Sequence, residues 1–385
     1  MHVLIVPSWY PNTYLPLYGI YVKEQAKALK AAGIRTGVIS IEEINLLQIL
    51  KHRKLDFFTT SYTDGGIVTY AAQYPVPPKC HGLRRTYKKK VFKKLFEEYT
   101  KRYGRPDILH LHTFIVGELA LWVREEYGIP YVVTEHFTGF ARETIRTADM
   151  QRAMHIYRNA AHRIAVSHEF CSLLKRKTGF DFQYIPNVVD TDFFVPGNRA
   201  EKRGLFTFIN IAYLEKKKNQ GLLIRAFAKI AKSDPDVRLL IVGCGPERKM
   251  LEALIRDLGV EGRVKMEGCA DRKRVRELLQ RSDVFVLSSE HETFGVVVIE
   301  ALACGLPVIA TPSGGPETIL TEPGLGTLCD MDEGALAAEM LRMKNEIGTY
   351  DPHRIRAYAE ANFSPKRVGE SLEKLYRRIL EKVEK

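Results

Sequence analysis

Glu292 and Glu300 stand eight residues apart, with Gly295 between them and Cys304-Gly305-Leu306-Pro307 closing the stretch. Each carboxylate could hold hydroxyl groups, and the backbone between them could take an anion. Val284 to Leu287 is a short apolar run of the buried-strand kind, and a helical pattern runs from Gly295 to Cys304, stopped by Gly305 and Pro307. Ser288 to Glu292 therefore form a loop from the carboxyl end of a strand to a helix N-terminus, which is where open α/β sheets bind ligands. At about 1.5 Å per residue the glutamates would be roughly 12 Å apart along the axis. The N–H groups of Gly295, Val296 and Val297 would be unpaired within the helix and at its positive dipole end. An extended ligand with a central pyrophosphate fits this layout: phosphates on the amides and a hydroxylated group at each carboxylate. A side chain at position 295 would hold a phosphate off the backbone. A sugar nucleotide has that shape.

Glu292 and Glu300, with Phe294-Gly295-Val296 inside the pair, Ala301-Leu-Ala-Cys-Gly-Leu-Pro-Val308 behind it and the turn Gly314-Gly315-Pro316-Glu317, resemble the signature of family 4 retaining glycosyltransferases. The resemblance covers nearly the whole chain. It implies the GT-B fold: an α/β protein of two Rossmann-like domains facing across a cleft, with a C-terminal helix crossing back to the first. The expected divisions are 1–190 on the acceptor side, 191–362 for the nucleotide sugar, and 363–385 for the returning helix. It also implies a nucleoside diphosphate sugar as donor, no cofactor and no metal. The function implied is retaining transfer to a glycan, lipid-linked or small-molecule acceptor, in cell-surface polysaccharide or glycolipid synthesis. A GT-B epimerase or phosphorylase, or a non-catalytic sugar-nucleotide-binding protein, is the alternative.

The elements ahead of the signature supply the remaining candidates. Val3 to Val6, a loop from Ser8 to Gly19, a helix from about Tyr21 to Ala32 and a strand from Thr36 to Ile41 make a βαβ start. In the resembled family that loop contacts donor phosphate through glycines; here Pro16-Leu17-Tyr18-Gly19 leaves only Gly19. His110 and His112 alternate with leucines on a strand without a third metal ligand nearby, and read as structural. His136 ends the apolar run from Ile129, and the resemblance places it against the transferred sugar. Pro186-Asn187 and Pro196 to Gly204 mark a linker. After the strand Phe206 to Ala212 the family carries an Arg and then a Lys on the diphosphate. Lys218 falls on the lysine position, but Tyr213 occupies the arginine position, so Lys216 or Lys217 would have to replace it. Gly243-Cys244-Gly245 lacks the third glycine of a dinucleotide site, which excludes NAD.

At 385 residues with 45% hydrophobic and 27% charged content, the chain fits a globular protein of two domains. Six scattered cysteines without CxxC spacing read as reduced thiols. No charged leader precedes Val3 and no apolar run reaches about 18 residues, so the expected location is cytoplasmic, peripheral at the inner face of a membrane. The net charge of +12 is uneven: residues 1–190 carry 27 basic and 17 acidic residues, or +10, leaving +2 for the rest. Arg84, Arg85, Lys88, Lys89, Lys90, Lys93 and Lys94 concentrate it between residues 83 and 102, interleaved with Tyr87, Phe92, Phe96 and Tyr99 at helical spacing. Two readings fit: a surface helix with lysines in water, or an interfacial helix with Tyr87, Phe92 and Phe96 near anionic headgroups. Nucleic acid is excluded as a partner because no binding motif accompanies the charge.

Overall fold

The computed structural model describes residues 1–12, 17–44, 58–76, 81–197 and 204–383. Pro16 and most of the linker expected between Pro196 and Gly204 lie outside the described residues. The chain divides into two compact units: Met1–Val166 with Cys171–Ile185 and Val368–Lys385, and Ser167–Phe170 with Pro186–Arg367. The main division thus falls at Pro186, ahead of the expected 190.

The first unit holds an eight-stranded sheet in the order β3-β4-β2-β1-β5-β6-β7-β8. Its strands are β1 (His2–Pro7), β2 (Arg35–Ile44), β3 (Phe58–Asp64), β4 (Ile67–Pro75), β5 (Ile108–His112), β6 (Tyr131–Glu135), β7 (His162–Ala165) and β8 (Gln183–Tyr184). β1, β5 and β6 are buried along their whole length, as expected of central parallel strands covered on both faces. The antiparallel β3–β4 hairpin turns on Gly65-Gly66, both with positive φ, the backbone a two-residue turn needs. Helices α1 (Ile20–Ala31), α2 (His81–Tyr103), α3 (Gly117–Tyr127) and α4 (Thr147–Asn159) connect the strands, and α5 (His168–Thr178) follows β7.

The second unit holds a six-stranded, wholly parallel sheet in the order β11-β10-β9-β12-β13-β14. Its strands are β9 (Phe206–Ile211), β10 (Val237–Val242), β11 (Val264–Gly268), β12 (Val284–Leu287), β13 (Val308–Ala310) and β14 (Gly326–Leu328). The helices are α6 (Gln220–Ala231), α7 (Arg248–Asp257), α8 (Arg272–Gln280), α9 (Val296–Ala303), α10 (Pro316–Ile319), α11 (Glu333–Asn345) and α12 (Pro352–Phe363).

Each sheet reverses its strand order once, between β1 and β5 in the first unit and between β9 and β12 in the second. At such a switch point the connections leave in opposite directions and open a crevice at the carboxyl ends of the strands. Ser8, just after β1, and His112 at the end of β5 meet at one crevice; the loops carrying Lys218 and Glu292 meet the other.

The last helix, α13 (Pro365–Val383), buries Val368, Leu372, Leu375, Tyr376 and Ile379, and groups from Val368 onward with the first unit. A Cβ on Gly369 would stand 2.7 Å from the carbonyl oxygen of Ala28, so glycine is what lets α13 lie close to α1. One expectation fails on α2. Phe92 and Phe96 are fully buried and pack edge-on against Trp122, so they cannot reach headgroups; of the three aromatics proposed for that role only Tyr87 is exposed, at 51%. The apolar stripe that suggested a membrane face is consumed by the core.

Candidate active site

In the second unit three loops are stitched together at the carboxyl edge of the sheet. The amide of Glu290 donates to the carbonyl of Lys217, Ser288 Oγ to the carbonyl of Lys218, and the amide of Glu292 to the carbonyl of Ser313. Within this frame Lys218 Nζ donates to Glu292 Oε1 at 2.6 Å, and Ser289 Oγ donates to the same oxygen at 2.8 Å. Two candidates 74 residues apart in sequence thus form one ion pair, with both side chains mostly shielded. Gly295 is the N-cap of α9 at φ 100, a left-handed backbone that disfavours side chains. Val296 is half-buried in the first turn, and Glu300 is 8% exposed in the second. Phe294 turns its ring into the core against Phe363, so only its backbone is left for a ligand. Gly314 and Gly315 let the next loop press on this one: a Cβ on Gly315 would stand 2.2 Å from the carbonyl oxygen of Phe294. Glu317 accepts from the Gly314 amide with both oxygens and fixes that turn.

Tyr213 is 56% exposed and its carbonyl accepts from Gln220, leaving no cation at the expected arginine position. Lys217 is paired with Glu215, and Lys216 is exposed.

In the first unit three histidines form a stack. The rings of His110 and His112 are 4.7 Å apart, and those of His112 and His136 5.2 Å apart. His110 uses both nitrogens, with Tyr376 Oη at 2.6 Å and Thr134 Oγ1 at 2.7 Å. His112 Nδ1 lies 3.0 Å from His136 Nε2, while His112 Nε2 is buried without a hydrogen-bond partner. Tyr21 of α1 packs on the His136 ring at 4.5 Å. Burial holds all three imidazoles neutral, pushing His110 and His136 down to about 3 and His112 well below its usual value. Next to the open nitrogen, Thr113 is held at φ 74, a strained backbone for a β-branched residue.

Glu135 anchors this site from beneath. Its buried carboxylate accepts from the amides of Phe114, His136 and Phe137 at 3.0, 2.9 and 2.8 Å, and from Tyr157 Oη at 2.6 Å. Burial pushes Glu135 up, and the four donors act against that shift.

Both halves of the sequence match known families. Residues 194–361 match the glycosyl transferases group 1 family and residues 19–193 match glycosyltransferase family 4, which together cover most of the chain. The chain belongs to glycosyltransferase family 4. The N-acetyl-alpha-D-glucosaminyl L-malate synthase of Bacillus anthracis is 27% identical over 71% of this chain and 75% of its own length. A phosphatidylinositol N-acetylglucosaminyltransferase component from Homo sapiens is 28% identical over 71% of this chain, which spans 58% of that protein. Among solved structures, a sucrose-phosphate synthase from Thermosynechococcus elongatus superposes with a TM-score of 0.78 at 20% identity, over 99% of this chain and 100% of the other. Anabaena HepE in complex with UDP superposes with a TM-score of 0.76 at 19% identity, over 98% and 100%. These superpositions establish the GT-B fold.

Elsewhere in the glycosyltransferase the candidates fare unequally. Gly19 has φ 68 and a Cβ there would stand 2.2 Å from the carbonyl oxygen of Trp9, so packing alone requires glycine. The basic residues of α2 split by face. Arg85, Lys89, Lys90 and Lys94 are exposed, Lys93 lies over the Trp122 ring at 4.6 Å, and Arg84 and Lys88 sit on the packed side. The expectation of reduced cysteines fails at one pair: Cys244 and Cys269 are joined by a disulfide, while Cys304 and Cys329 are buried thiols. The bridge ties the loop after β10 to the loop after β11, and the Cys244 carbonyl accepts from Leu214 in the loop that carries Lys218. Among the described residues no group of His, Cys, Asp and Glu could hold a metal ion, and no helix is long and apolar enough to cross a membrane.

His112 is the functional candidate that sequence reasoning passed over. Its signal was the position: last on a strand, at the switch-point edge, next to a strained Thr113.

Proposed function

We propose that this glycosyltransferase moves a glycosyl group from a nucleoside diphosphate sugar to an acceptor hydroxyl with retention of configuration and without a metal ion. The observation that carries this reading is the Lys218–Glu292 pair beside the uncapped N-terminus of α9. The α9 amides and the Lys218 ammonium supply fixed positive charge for a leaving diphosphate, the role of a bound metal in other transferases. Glu300, buried one turn further along, would accept from ribose hydroxyls, and Glu292 would accept from the sugar. The UDP named in the HepE structure favours a nucleoside diphosphate here.

In the first unit, His112 and His136 would share one proton between Nδ1 and Nε2 and turn His112 Nε2 toward a sugar hydroxyl. Neutral rings suit this work, since they can both accept and donate a hydrogen bond. The acceptor is a glycan, lipid-linked or small molecule, and any contact with a membrane would be made by exposed Arg85, Lys89, Lys90 and Lys94.

Titration calorimetry tests the donor assignment. Glu300→Ala should weaken nucleoside diphosphate binding by about 1–3 kcal/mol. Glu292→Ala should cut transfer and spare diphosphate affinity. Equal losses of diphosphate affinity in both variants would overturn the division, and abolition of transfer by EDTA with rescue by magnesium would overturn the metal-free account.

A further inference from the structure

A threonine at φ 74 is strained, and a backbone of this kind persists only where its surroundings over-determine it. Thr113 is gripped through its own amide and its hydroxyl. The amide donates to the carbonyl of Thr134 at 2.8 Å, the hydroxyl pairs with Ser8 Oγ at 2.7 Å, and Oγ1 accepts from the amide of Ile115 at 3.2 Å. The next residue departs from the sheet. The amide of Phe114 leaves the β5–β6 ladder, whose last paired residues are His112 and Thr134, and donates to the side chain of Glu135.

Glu135 closes this network. Its Oε2 accepts from the Phe114 amide at 3.0 Å and from Tyr157 Oη at 2.6 Å, and its Oε1 from the amides of His136 and Phe137 at 2.9 and 2.8 Å. A carboxylate has about four acceptor sites, so all are filled. The side chain is fully buried, and three amides and a phenol serve it in place of a cation. Burial and the neighbouring carboxylate both hold the Tyr157 phenol protonated, so it stays a donor. An anion taken out of water in this way is costly, and packing alone does not account for it.

What the carboxylate grips are the two strand ends that carry histidines. His112 directly precedes Thr113, and His136 directly follows Glu135. Their contact, Nδ1 to Nε2 at 3.0 Å, leaves His112 Nε2 buried without a hydrogen-bond partner. A ring free to turn would escape that cost, so the backbone on either side has to hold it.

We propose that Glu135 is the positioning residue of the His112–His136 pair: its carboxylate fixes the ends of β5 and β6, so that the rings keep their hydrogen bond and His112 Nε2 stays open for substrate. The proposal rests on the reading of that pair as part of the sugar-binding site. Glu135 itself is sealed off by its four donors and acts through the amides it holds.

Proton–nitrogen correlation spectra of protein labelled at the histidine ring nitrogens test the clamp without substrate. In the unmodified protein the proton between His112 Nδ1 and His136 Nε2 should exchange slowly with water. Glu135→Gln keeps the size of the side chain but turns an NH2 toward the donors. It should speed that exchange roughly tenfold or more, while the ring proton of His110, held by Tyr376 and Thr134, keeps its protection. Tyr157→Phe removes one donor and leaves the carboxylate with its three amides; it should give the same change to a smaller degree, and carries the test if Glu135→Gln does not fold. Release of UDP from UDP-glucose or UDP-N-acetylglucosamine should fall in kcat in Glu135→Gln at unchanged KM. Unaltered protection of the shared proton would overturn the proposal, and so would equal acceleration at His110, which marks general loosening of the unit. The reading of the pair fails separately: UDP release untouched by His136→Gln would remove the histidines from the site, and the positioning role with them, whatever the spectra show.

Discussion

Lys218 Nζ and Glu292 Oε1, contributed by loops after β9 and β12, meet at 2.6 Å across the switch point of the second sheet. Parallel strands bring the two loops together, and hydrogen bonds from Glu290 and Ser288 to the lysine loop hold them there. The pair keeps both charges in place before any ligand arrives.

A diphosphate would share that ammonium with Glu292, since an ammonium carries three donors. Lys218→Met should therefore weaken nucleoside diphosphate binding roughly tenfold or more, with Lys218→Arg intermediate. In a double-mutant cycle with Glu292→Gln, protein stability should show a coupling of about 0.5–3 kcal/mol, as for other residues in direct contact. Chemical denaturation measures the second quantity; strictly additive losses would mean that the pair is an incidental surface contact.

The histidine stack makes stability depend on pH with a definite sign. Burial lowers the folded-state pKa of His110 and His136 to about 3 and that of His112 well below its usual value. Above about pH 6.5 the rings are neutral in both states and nothing is lost. As pH falls from there, the unfolded chain takes up protons that the folded chain refuses, so stability drops until the folded pKa is reached. Each ring contributes a slope of up to about 1.4 kcal/mol per pH unit. Urea unfolding at about pH 7.5 and about pH 5.5 should show this loss, and His110→Gln should flatten the curve. A pH-independent midpoint over that interval would mean that the rings are accessible to protons in the folded state.

Glu292 and Glu300 could be singled out because a strand end, a glycine and a helix start lie within one stretch of sequence, whereas Lys218, 74 residues before Glu292, was placed by the family resemblance. The α/β pattern was legible from the alternation of apolar runs and amphipathic helices, while the two-domain GT-B architecture came from the resemblance. His112 was not, since its meaning depends on pairing across strands: Thr134 stands opposite His112 in the β5–β6 register, which brings the following His136 alongside. The Cys244–Cys269 bridge was hidden likewise. The cysteines are 25 residues apart, and they meet only because β10 and β11 pair in parallel with Val242 opposite Gly268. For Phe92 and Phe96 the periodicity was read correctly but could not say whether water, lipid or Trp122 lay on the apolar side.

The bridge itself predicts a thiol count and a stability change. Under denaturing conditions a thiol reagent should find two more reactive cysteines after reduction than before it, Cys244 and Cys269. Closing a loop of this size should stabilise the second unit by about 3 kcal/mol, so Cys244→Ser should lower its unfolding midpoint. Six reactive thiols in unreduced protein would rule the bridge out.

Membrane contact, if it occurs, has to work without inserted aromatics. Phe92 and Phe96 are spent on the core and Lys93 lies over Trp122, which leaves Arg85, Lys89, Lys90 and Lys94 facing outward on α2. Of these Arg85 is engaged with Glu118 and Lys94 approaches Glu98 at 3.9 Å. Attraction to an anionic surface is then electrostatic alone, about 1 kcal/mol per basic residue and confined to a Debye length. Replacing Lys89, Lys90 and Lys94 together with Gln should release the protein from anionic vesicles and leave nucleoside diphosphate binding unchanged. Raising salt should release the unmodified protein equally. Because Tyr87 is the exposed large apolar side chain of α2 among the described residues, vesicle binding through this helix that persists at high salt would contradict the packing of Phe92 and Phe96.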